Sequence, residues 1–445
     1  MSASKVCSLL ALGLLWTSPI PLGAQNPSGP QFQVNSETQG TQRRADAVFL
    51  PDGSSVVVWA SADSSGDDNL QLSIQGRRFD ADGSPIGNDF QINTYTTGDQ
   101  TRPVIGAADD GTMVVVWQSE GSDANPMGLR VVGRRLAADG SPIGSELAIS
   151  EVGADFQSIA ALSVAPAGDF VVAWQSMEPT GNSYEVLTRR FDATGAPLES
   201  PFQVNIFTTG TQEATAVVHQ SNGDFLVVWH SEDSLADPGS FSIQGRLYDA
   251  ASMPLTTELQ LNGFTTSAQA LPDVGVGPDD GFVVTWSSYG SGGDDVEGLS
   301  IQARHFDATL APVAGEFQVN AVTTGNQAYP SLSVDVSGDF VVAWEDGLYG
   351  GGADGSGPGI FARRFAPDAT PVGDEYQVNT YTSGDQIEAV VVHDPQGNTS
   401  VFWRSQGSTG NDSAATSIQG QRFAPNLFRD GFESGDTSAW DNTIN

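Results

Sequence analysis

The stretch FQINTYTTGDQTRPVIGAADDGTMVVVWQS, residues 90–119, is one of seven related copies along this chain of 445 residues. Each copy closes an apolar run with a tryptophan, and a glutamine stands seventeen residues before each tryptophan. Because the copies recur every 55 to 59 residues, the chain is a repeat protein. The seven tryptophans are Trp59, Trp117, Trp174, Trp229, Trp286, Trp344 and Trp403.

Each copy contains four short segments rich in Val, Ile, Phe and Trp, separated by turn residues. In chain order, segment a follows the glutamine, b ends in the tryptophan, c carries a recurring arginine such as Arg77, and d ends near a residue such as Asn93. No window shows a sustained helical period, so all four segments are predicted to be strands. Only the b–c connection varies in length. The pattern predicts an all-β, seven-bladed β-propeller of four-stranded blades.

The two ends of the repeat region complement each other. Residues 32–35, Phe-Gln-Val-Asn, form a segment d that no a, b or c precedes, and the last copy, 386–426, lacks a segment d. We therefore expect the N-terminal strand to complete the last blade and close the ring, which would pair both exposed sheet edges. The alternative is an open superhelical array with capped ends. The predicted organisation is a signal peptide (1–24), a linker (25–31), the propeller (32–426) and a tail (427–445).

The N-terminal segment indicates export. Lys5 precedes an apolar run that ends at Trp16, and a small residue, Ala24, completes the order that is typical of a secretory signal peptide. The only cysteine, Cys7, lies within this segment, so the mature chain is predicted to have neither disulfides nor a catalytic thiol. No later stretch reaches the length of a transmembrane helix.

The charge balance excludes one class of partner. The chain has 54 Asp and Glu against 18 Lys and Arg, a formal net charge of −36. Such a surface repels phosphate backbones, so we predict no nucleic-acid partner.

The residues that recur in every copy are predicted to be architecture. Aromatic side chains bury the most area per residue, so the tryptophans are expected to pack between blades. The recurring Asn and Gln are expected to bond backbone of the neighbouring blade. The recurring arginines are expected to pair with the Asp-rich c–d turns of their own repeat.

The variable b–c loops are predicted to gather on one rim, where we expect a binding surface. Their carboxylates suggest Ca²⁺ as a ligand, although no loop has the spaced carboxylate pattern of an EF-hand and solvated acidic loops are the alternative. The candidate metal ligands are Asp63, Asp67, Asp68, Asp294, Asp295 and Glu297. Aromatic residues near the same rim could stack on sugar or peptide groups, or could instead staple neighbouring blades; these are Tyr95, Phe207, Phe264 and Tyr381.

The sequence contains no recognisable catalytic motif, and the four histidines occupy unrelated positions of the repeat. No catalytic residue is therefore assigned. The main hypothesis is a monomeric, non-catalytic binding or adhesion module for an extracellular protein or carbohydrate. The alternative is a glycan hydrolase that uses rim carboxylates, which must face each other across the substrate. A purely structural surface module is the third hypothesis.

The segments Phe90–Gln100 and Val114–Ser119 resemble a repeat of secreted bacterial proteins, with the approximate pattern FQVNTYTTGDQ, FVVVWQS and RFDA. The resemblance covers residues 32–426, and such repeats often accompany RTX-type calcium-binding or adhesin-like modules, whose nonapeptide repeats are missing here. The tail from Asp430 to Trp440, DGFESGDTSAW, is similar to the end of other exported bacterial proteins. These resemblances imply a secreted or cell-surface bacterial protein, with the periplasm as the alternative, and a sorting role for the tail.

Overall fold

A computed structural model of the chain describes the repeat region and part of the segment before it. The described residues are 25, 27–64, 66–68, 71–122, 125–151, 156–177, 181, 183–234, 240–291, 293–295, 298–348, 356–408, 410–412 and 415–424. The predicted signal peptide and the predicted tail lie outside them. Within the described residues, no helix is long and apolar enough to cross a membrane.

Twenty-eight strands form seven antiparallel four-stranded sheets, which are the blades of a seven-bladed β-propeller. The predicted fold is confirmed. In blade order the strands are β2–β5 (Gln42–Phe49, Ser55–Ala62, Leu72–Phe79, Pro85–Gln91), β6–β9 (Gln100–Ala107, Met113–Ser122, Asn125–Leu136, Pro142–Ala148), β10–β13 (Gln157–Val164, Phe170–Met177, Tyr184–Phe191, Phe202–Gln203), β14–β17 (Gln212–His219, Phe225–Glu232, Phe241–Tyr248, Leu259–Gln260), β18–β21 (Gln269–Val276, Phe282–Tyr289, Leu299–Phe306, Phe317–Gln318), β22–β25 (Gln327–Val334, Phe340–Asp346, Gly359–Phe365, Tyr376–Gln377), and β26–β28 (Gln386–His393, Thr399–Gln406, Thr416–Phe423) with β1 (Phe32–Gln33).

The N-terminal strand closes the ring. Strand β1 pairs with β28 in the register Phe32 to Gly420 and Gln33 to Gln419, and so becomes the outer strand of the last blade. The Val34 N–H donates to the Ile418 carbonyl at 2.8 Å. The first strands of successive blades contact one another, and β2 also contacts β26, so the inner circle is continuous. The closed ring is confirmed, and the open array is excluded.

The recurring tryptophans lie between blades, as the sequence predicts. Trp117 packs with Val56, Val58 and Ile74 of the preceding blade. Its indole N–H donates to Gln100 Oε1 at 3.1 Å, which satisfies a polar group that burial would otherwise leave unpaired. All seven tryptophans are fully buried. The seventeen-residue spacing thus places the glutamine beside the indole of the same blade.

The recurring asparagine connects strands of one blade rather than two blades, so the expected inter-blade contact is wrong for this residue. Asn93 Oδ1 accepts the N–H of Ile74, on the third strand of the same sheet, at 2.8 Å. Its side-chain amide donates to the Tyr95 carbonyl at 3.0 Å. The fourth strand is only two residues long in most blades, so the side chain extends the pairing beyond the backbone ladder. The same contact is made by Asn35, Asn205, Asn262, Asn320 and Asn379.

The recurring arginine binds the preceding blade, a contact that the sequence did not predict. The expected ion pair within the repeat is also present in the first blade, where Arg77 Nε lies 3.7 Å from Asp89 Oδ1. Arg246 Nη1 donates to the Val204 carbonyl of the preceding blade at 2.9 Å, and its guanidinium lies over the Tyr248 ring. The geometry suits arginine because its planar cation can stack and donate at the same time. Equivalent bonds to the preceding blade are made by Arg77, Arg134, Arg189, Arg304 and Arg363.

We expect Arg246→Leu to lower the free energy of unfolding by about 1.5–3 kcal/mol, because the charged hydrogen bond between two blades is lost. Arg246→Lys should retain part of the stability, since it keeps the charge but loses the planar donor group. Urea unfolding followed by tryptophan fluorescence measures both variants. Equal stability of the leucine variant and the unchanged protein would show that this bridge contributes nothing.

Candidate functional site

Every inner strand carries a bulge near the rim that bears the b–c loops. In each blade the register against the second strand shifts just after the recurring glutamine. The second residue after that glutamine has a positive φ between 49° and 60°, a conformation that costs non-glycine residues energy. Because the bulges repeat around the axis, they form one ring, which consists of Arg44, Arg102, Ile159, Ala214, Leu271, Tyr329 and Glu388.

The bulge ring surrounds a cavity of about 570 Å³ at the mouth of the central channel, which we name the central funnel. Six of the seven bulge residues line it, together with Glu345 and Arg404, which each follow the tryptophan of their blade. The apolar part of the lining includes Leu271 and Tyr329, a residue that is 45% exposed. Pockets that combine an apolar wall with a few convergent polar groups are the usual binding sites of small ligands.

Two glutamates are neighbours in the lining of the central funnel. Glu345 is only 3% exposed, and its Oε1 accepts the backbone N–H of Glu388 at 2.7 Å. The Glu388 carboxylate lies between two cations, with Oε1 at 3.1 Å from Arg44 Nε and Oε2 at 3.6 Å from Arg404 Nε. Glu388 Oε2 also accepts the Arg44 N–H at 3.0 Å. The two carboxyl groups therefore have different surroundings, one buried and one bound to arginines.

Burial raises the pKa of Glu345 to about 7, and the nearby charge of Glu388 acts in the same direction. The hydrogen bond from the Glu388 N–H and the charges of Arg404 and Arg44 oppose this increase without cancelling it. Desolvation therefore dominates, because water stabilises a carboxylate better than this site does. Glu345 can hold or release a proton near neutral pH.

Arginines accumulate beside this pair. Burial, together with the like charges of Arg44 and Arg43, lowers the pKa of Arg102 to about 10. Arg44 and Arg404 share Glu388, whereas neither Arg43 nor Arg102 forms an ion pair with any described residue. Arg44 and Arg404 line the cavity with Glu345, Glu388 and Asp385, and Arg102 and Arg43 lie close to Arg44 outside the lining. Four cations therefore meet three carboxyl groups here, in a chain of net charge −36.

Stability should depend on pH through Glu345. Its pKa is higher in the folded chain than the ordinary value of 4.5, so its stabilising effect is complete below that pH and is lost as pH rises towards 7. Burial also raises the pKa of Asp46 and Asp273 on the inner strands to about 6, so these two carboxyls share the decline up to about pH 7, and only the comparison with Glu345→Gln separates Glu345 from them. We expect Glu345→Gln to flatten the decline in unfolding free energy between about pH 6 and 7. Denaturant unfolding at several pH values tests this, and an unchanged slope would contradict it.

The candidate calcium ligands do not converge. Asp68 and Asp295 are buried, and one oxygen of each accepts the side-chain amide of Asn93 or Asn320, both at 2.8 Å. Asp63, Asp67 and Asp294 are exposed, and Glu297 lies outside the described residues. Among the residues that the structure describes, no group of three or more His, Cys, Asp or Glu could hold a metal ion. Calcium binding stays a prediction, tested by thermal melting with and without EDTA.

The four aromatic candidates are half-buried on the rim and do not meet at one site. Phe207 lines a separate cavity of about 340 Å³ with Ile206 and Gln260. Tyr381 lies beside Gly407 and Phe264 beside Gly290, where a β-carbon on the glycine would touch the ring. Tyr95 presents its carbonyl to Asn93. Their role in ligand binding stays a prediction.

Two of the histidines form partly buried pairs with serine at the opposite end of the inner strands. His219 Nδ1 lies 3.0 Å from Ser163 Oγ, and His393 Nδ1 lies 2.9 Å from Ser333 Oγ. Burial lowers the pKa of both histidines to about 4, so neither gains a proton near neutral pH. Each pair joins the inner strands of neighbouring blades, and neither lies in the central funnel.

The glutamates and arginines of the central funnel are not among the site residues predicted from the sequence. One sequence feature could have indicated them. The residue types at the second position after the glutamine and at the position after the tryptophan differ between copies, whereas the spacing around them is constant. Charged residues occupy the first position only in Arg44, Arg102 and Glu388, which belong to blades that are neighbours in a closed ring. Aligning the copies and closing the ring would have placed these charges together.

Neither a family model nor a curated protein matches the chain. Among solved structures, a protein of unknown function from Dyadobacter fermentans is 12% identical, with a TM-score of 0.51, and the match covers 91% of this chain and 99% of that one. An α-L-arabinanase of Penicillium chrysogenum, solved with arabinobiose, is 14% identical over 71% of this chain and 94% of its own, with a TM-score of 0.46. An α-L-arabinofuranosidase of Fusarium graminearum is 9% identical over 90% of this chain and 98% of its own, also at 0.46. The first match supports the fold alone.

Proposed function

We propose that this chain is an exported hydrolase of carbohydrate chains, with the central funnel as its active site. The observation that carries the proposal is the pair Glu345 and Glu388, two adjacent carboxyl groups in contrasting surroundings. Pairs of titratable groups whose surroundings differ in this way are typical of acid and base partners in catalysis. Hydrolysis is thereby favoured over non-catalytic binding. The proposed active site lies at the channel mouth, where Leu348 and Pro358 of one variable b–c loop also line the cavity.

The pair can supply both proton transfers of glycosidic cleavage. Protonated Glu345 would donate its proton to the glycosidic oxygen as the bond from that oxygen to the anomeric carbon breaks. Glu388 would act on the anomeric carbon, either by directing a water molecule to it or by attacking it before water does. The sugar gains the hydroxyl of water, the leaving sugar gains the proton of Glu345, and the second proton of water restores the acid.

The rest of the central funnel suits a sugar ring. Tyr329 is 45% exposed and lies on the inner strand of the blade that carries Glu345, next to Ala328, which pairs with Glu345. Leu271 of the preceding blade adds to this apolar part of the lining. Sugars present C–H groups on one face and hydroxyls at the edge, so they pack on an aromatic surface while polar groups bind the hydroxyls. The cavity of about 570 Å³ is in the range of small-ligand sites.

The second candidate function is binding without hydrolysis, which the arginines favour. Arg43 and Arg102 have no ion-pair partner among the described residues and could hold an anionic ligand with no bond broken. A monomer at the bacterial cell surface, in the periplasm or in the medium fits both candidates. The resemblance to secreted repeat proteins supports the surface location, and a sorting role of the tail belongs to the same proposal.

A panel of neutral and acidic polysaccharides tests the proposal, with release of reducing ends as the readout and EDTA in a parallel series. We expect at least one polysaccharide to be cleaved, with a rate that falls as pH rises through about 7, because Glu345 loses its proton there. Cleavage that persists in EDTA would place the chemistry on side chains. Binding of a polysaccharide with no release of reducing ends would favour the second candidate.

A further inference from the structure

The cations of the central funnel exceed what the fold uses. The chain contains 18 Lys and Arg against 54 Asp and Glu, yet four arginines lie close together beside two glutamates. The recurring arginines of the third strands have a structural role, since each donates a hydrogen bond to the preceding blade. The four arginines at and beside the central funnel do not belong to that set. Arg44 and Arg404 line the cavity, and Arg102 and Arg43 lie close to Arg44 but outside the lining.

Ion pairing accounts for only two of the four. Glu388 Oε1 lies 3.1 Å from Arg44 Nε, and Glu388 Oε2 lies 3.6 Å from Arg404 Nε. The single negative charge of Glu388 is therefore shared by these two arginines. Glu345 accepts the Glu388 N–H at 2.7 Å and makes no described ion pair. Arg43 and Arg102 are half-buried, and within the described part of the chain no carboxylate pairs with them. The charge of Glu388 also acts on Arg102, but it offsets only part of the repulsion from Arg44 and Arg43, which a bound anion would reduce further.

Arg102 also occupies a strained position. It lies at the bulge with a φ of 55°, beside Arg44 with a φ of 57°. The same position holds Ile159, Ala214 and Leu271 in three other blades, so the bulge itself does not need a charge. The cation at this position is therefore available for a role outside the fold.

We infer that the substrate of the central funnel is an acidic carbohydrate, whose carboxylate or sulfate group binds Arg102 and Arg43 while its sugar ring lies near Glu345 and Glu388. The inference deepens the proposed hydrolase by naming its substrate class, and it rests on that function. Guanidinium groups recognise planar or tetrahedral oxyanions through paired N–H donors, which lysine cannot match. An anion there would also remove the repulsion between Arg102, Arg44 and Arg43.

The test is calorimetric binding to the Glu345→Gln variant, which cannot cleave the probe by the proposed route. Four oligosaccharide probes separate the two anion types: oligogalacturonate, its methyl ester, a sulfated galactan oligosaccharide, and the same oligosaccharide after desulfation. We expect at least one acidic probe to bind more tightly than its neutral counterpart and to weaken as salt is added. Arg102→Leu, introduced into the same variant, should weaken that binding about 10- to 100-fold, because a charged hydrogen-bonding partner is lost.

Two controls keep the result specific. Leucine already occupies the equivalent bulge in blade five with a φ of 57°, so Arg102→Leu should fold, and its melting temperature checks this. Arg135→Leu removes one positive charge from a third strand away from the central funnel, where the side chain donates to the Thr194 carbonyl, and it should leave binding unchanged. Any of three results would overturn the inference: neutral and acidic probes bind equally, no probe binds, or both leucine variants lose the same affinity for the acidic probe.

The calorimetric result does not depend on turnover. Acidic probes that bind through Arg102 but are never cleaved by the unsubstituted protein would refute the hydrolase and leave the anion site intact. Cleavage of a neutral polysaccharide, together with no preference for acidic probes, would refute the anion site and leave the hydrolase intact.

Discussion

Replacing Glu345 with glutamine is expected to lower the rate of polysaccharide cleavage about 10²–10⁴-fold, the contribution that a positioned proton donor typically makes. Glutamine keeps the size of the side chain and still offers an oxygen to the Glu388 N–H, which Glu345 Oε1 accepts at 2.7 Å. It cannot give a proton to a leaving group. The loss should appear in kcat rather than in KM, because the proton moves only in the transition state.

The control for this variant is Glu213→Gln. Glu213 lies on the inner strand of blade four, where it contacts His230 at 3.4 Å and is not paired with another carboxylate. We expect this substitution to leave kcat unchanged. Glu388→Gln should lower kcat as Glu345→Gln does, because it removes the second member of the pair. A Glu345→Gln variant that keeps both the rate and its decline above pH 7 would exclude Glu345 as the acid.

The second large effect is expected at the ring closure. Removing residues 25–35 should destabilise the propeller by at least about 3–6 kcal/mol, from the loss of Phe32 and Val34 burial alone. Val34 is fully buried, and Phe32 packs against Phe79 of the first blade and Phe402 of the last. The deletion also leaves the Ile418 N–H without the Asn35 side chain that accepts it at 2.8 Å. Thermal melting should show a large decrease in melting temperature.

A synthetic peptide of residues 25–36 provides the control. Added to the shortened protein, it should raise the melting temperature again, since strand β1 joins the last blade only through its edge and its side chains. The same peptide with Val34→Asp should fail, because it would bury an unpaired charge. A shortened protein that melts like the full chain would contradict the closure of the ring by this strand.

The segment before strand β1 adds to the closure beyond what the sequence predicts. Residues 25–31 were expected to be a linker, yet Gln25 is buried and accepts the hydroxyl of Tyr376 at 2.6 Å. Gln31 accepts the backbone N–H of Thr380 at 2.8 Å, on the d–a connection of the preceding blade. In other blades an acidic residue makes this contact, as Glu375 does with Ala321 at 2.6 Å. Single side-chain contacts of this kind leave no periodic signal in the sequence.

The fold follows from the sequence because its signals are local and repeated. The spacing of Gln100 and Trp117 reflects a bond within one blade, and the turn residues between the strands recur in each copy. Strand β1 is identifiable because the first and last copies are each incomplete. Each copy folds into one blade, and packing between blades does not change the order of the strands. The number of copies therefore determines the number of blades.

The candidate site is harder to predict from the sequence, because it forms only when the ring of blades closes. Arg44 and Glu388 lie 344 positions apart in the chain and meet only because blade one follows blade seven in space. The raised pKa of Glu345 results from burial, which the residue type does not reveal. Conversely, Asp68 looks like an exposed loop ligand in the sequence but is buried against Asn93, which lies 25 residues further along.

A crystal structure of the Glu345→Gln variant with the acidic oligosaccharide that binds it most tightly shows where this protein acts on its ligand. We expect the sugar to lie in the central funnel, with its anionic group against Arg102 and its glycosidic oxygen beside residue 345. A sugar seated on the b–c loops near Asp67 or Asp294, with the central funnel free of it, would refute both the proposed active site and the anion site.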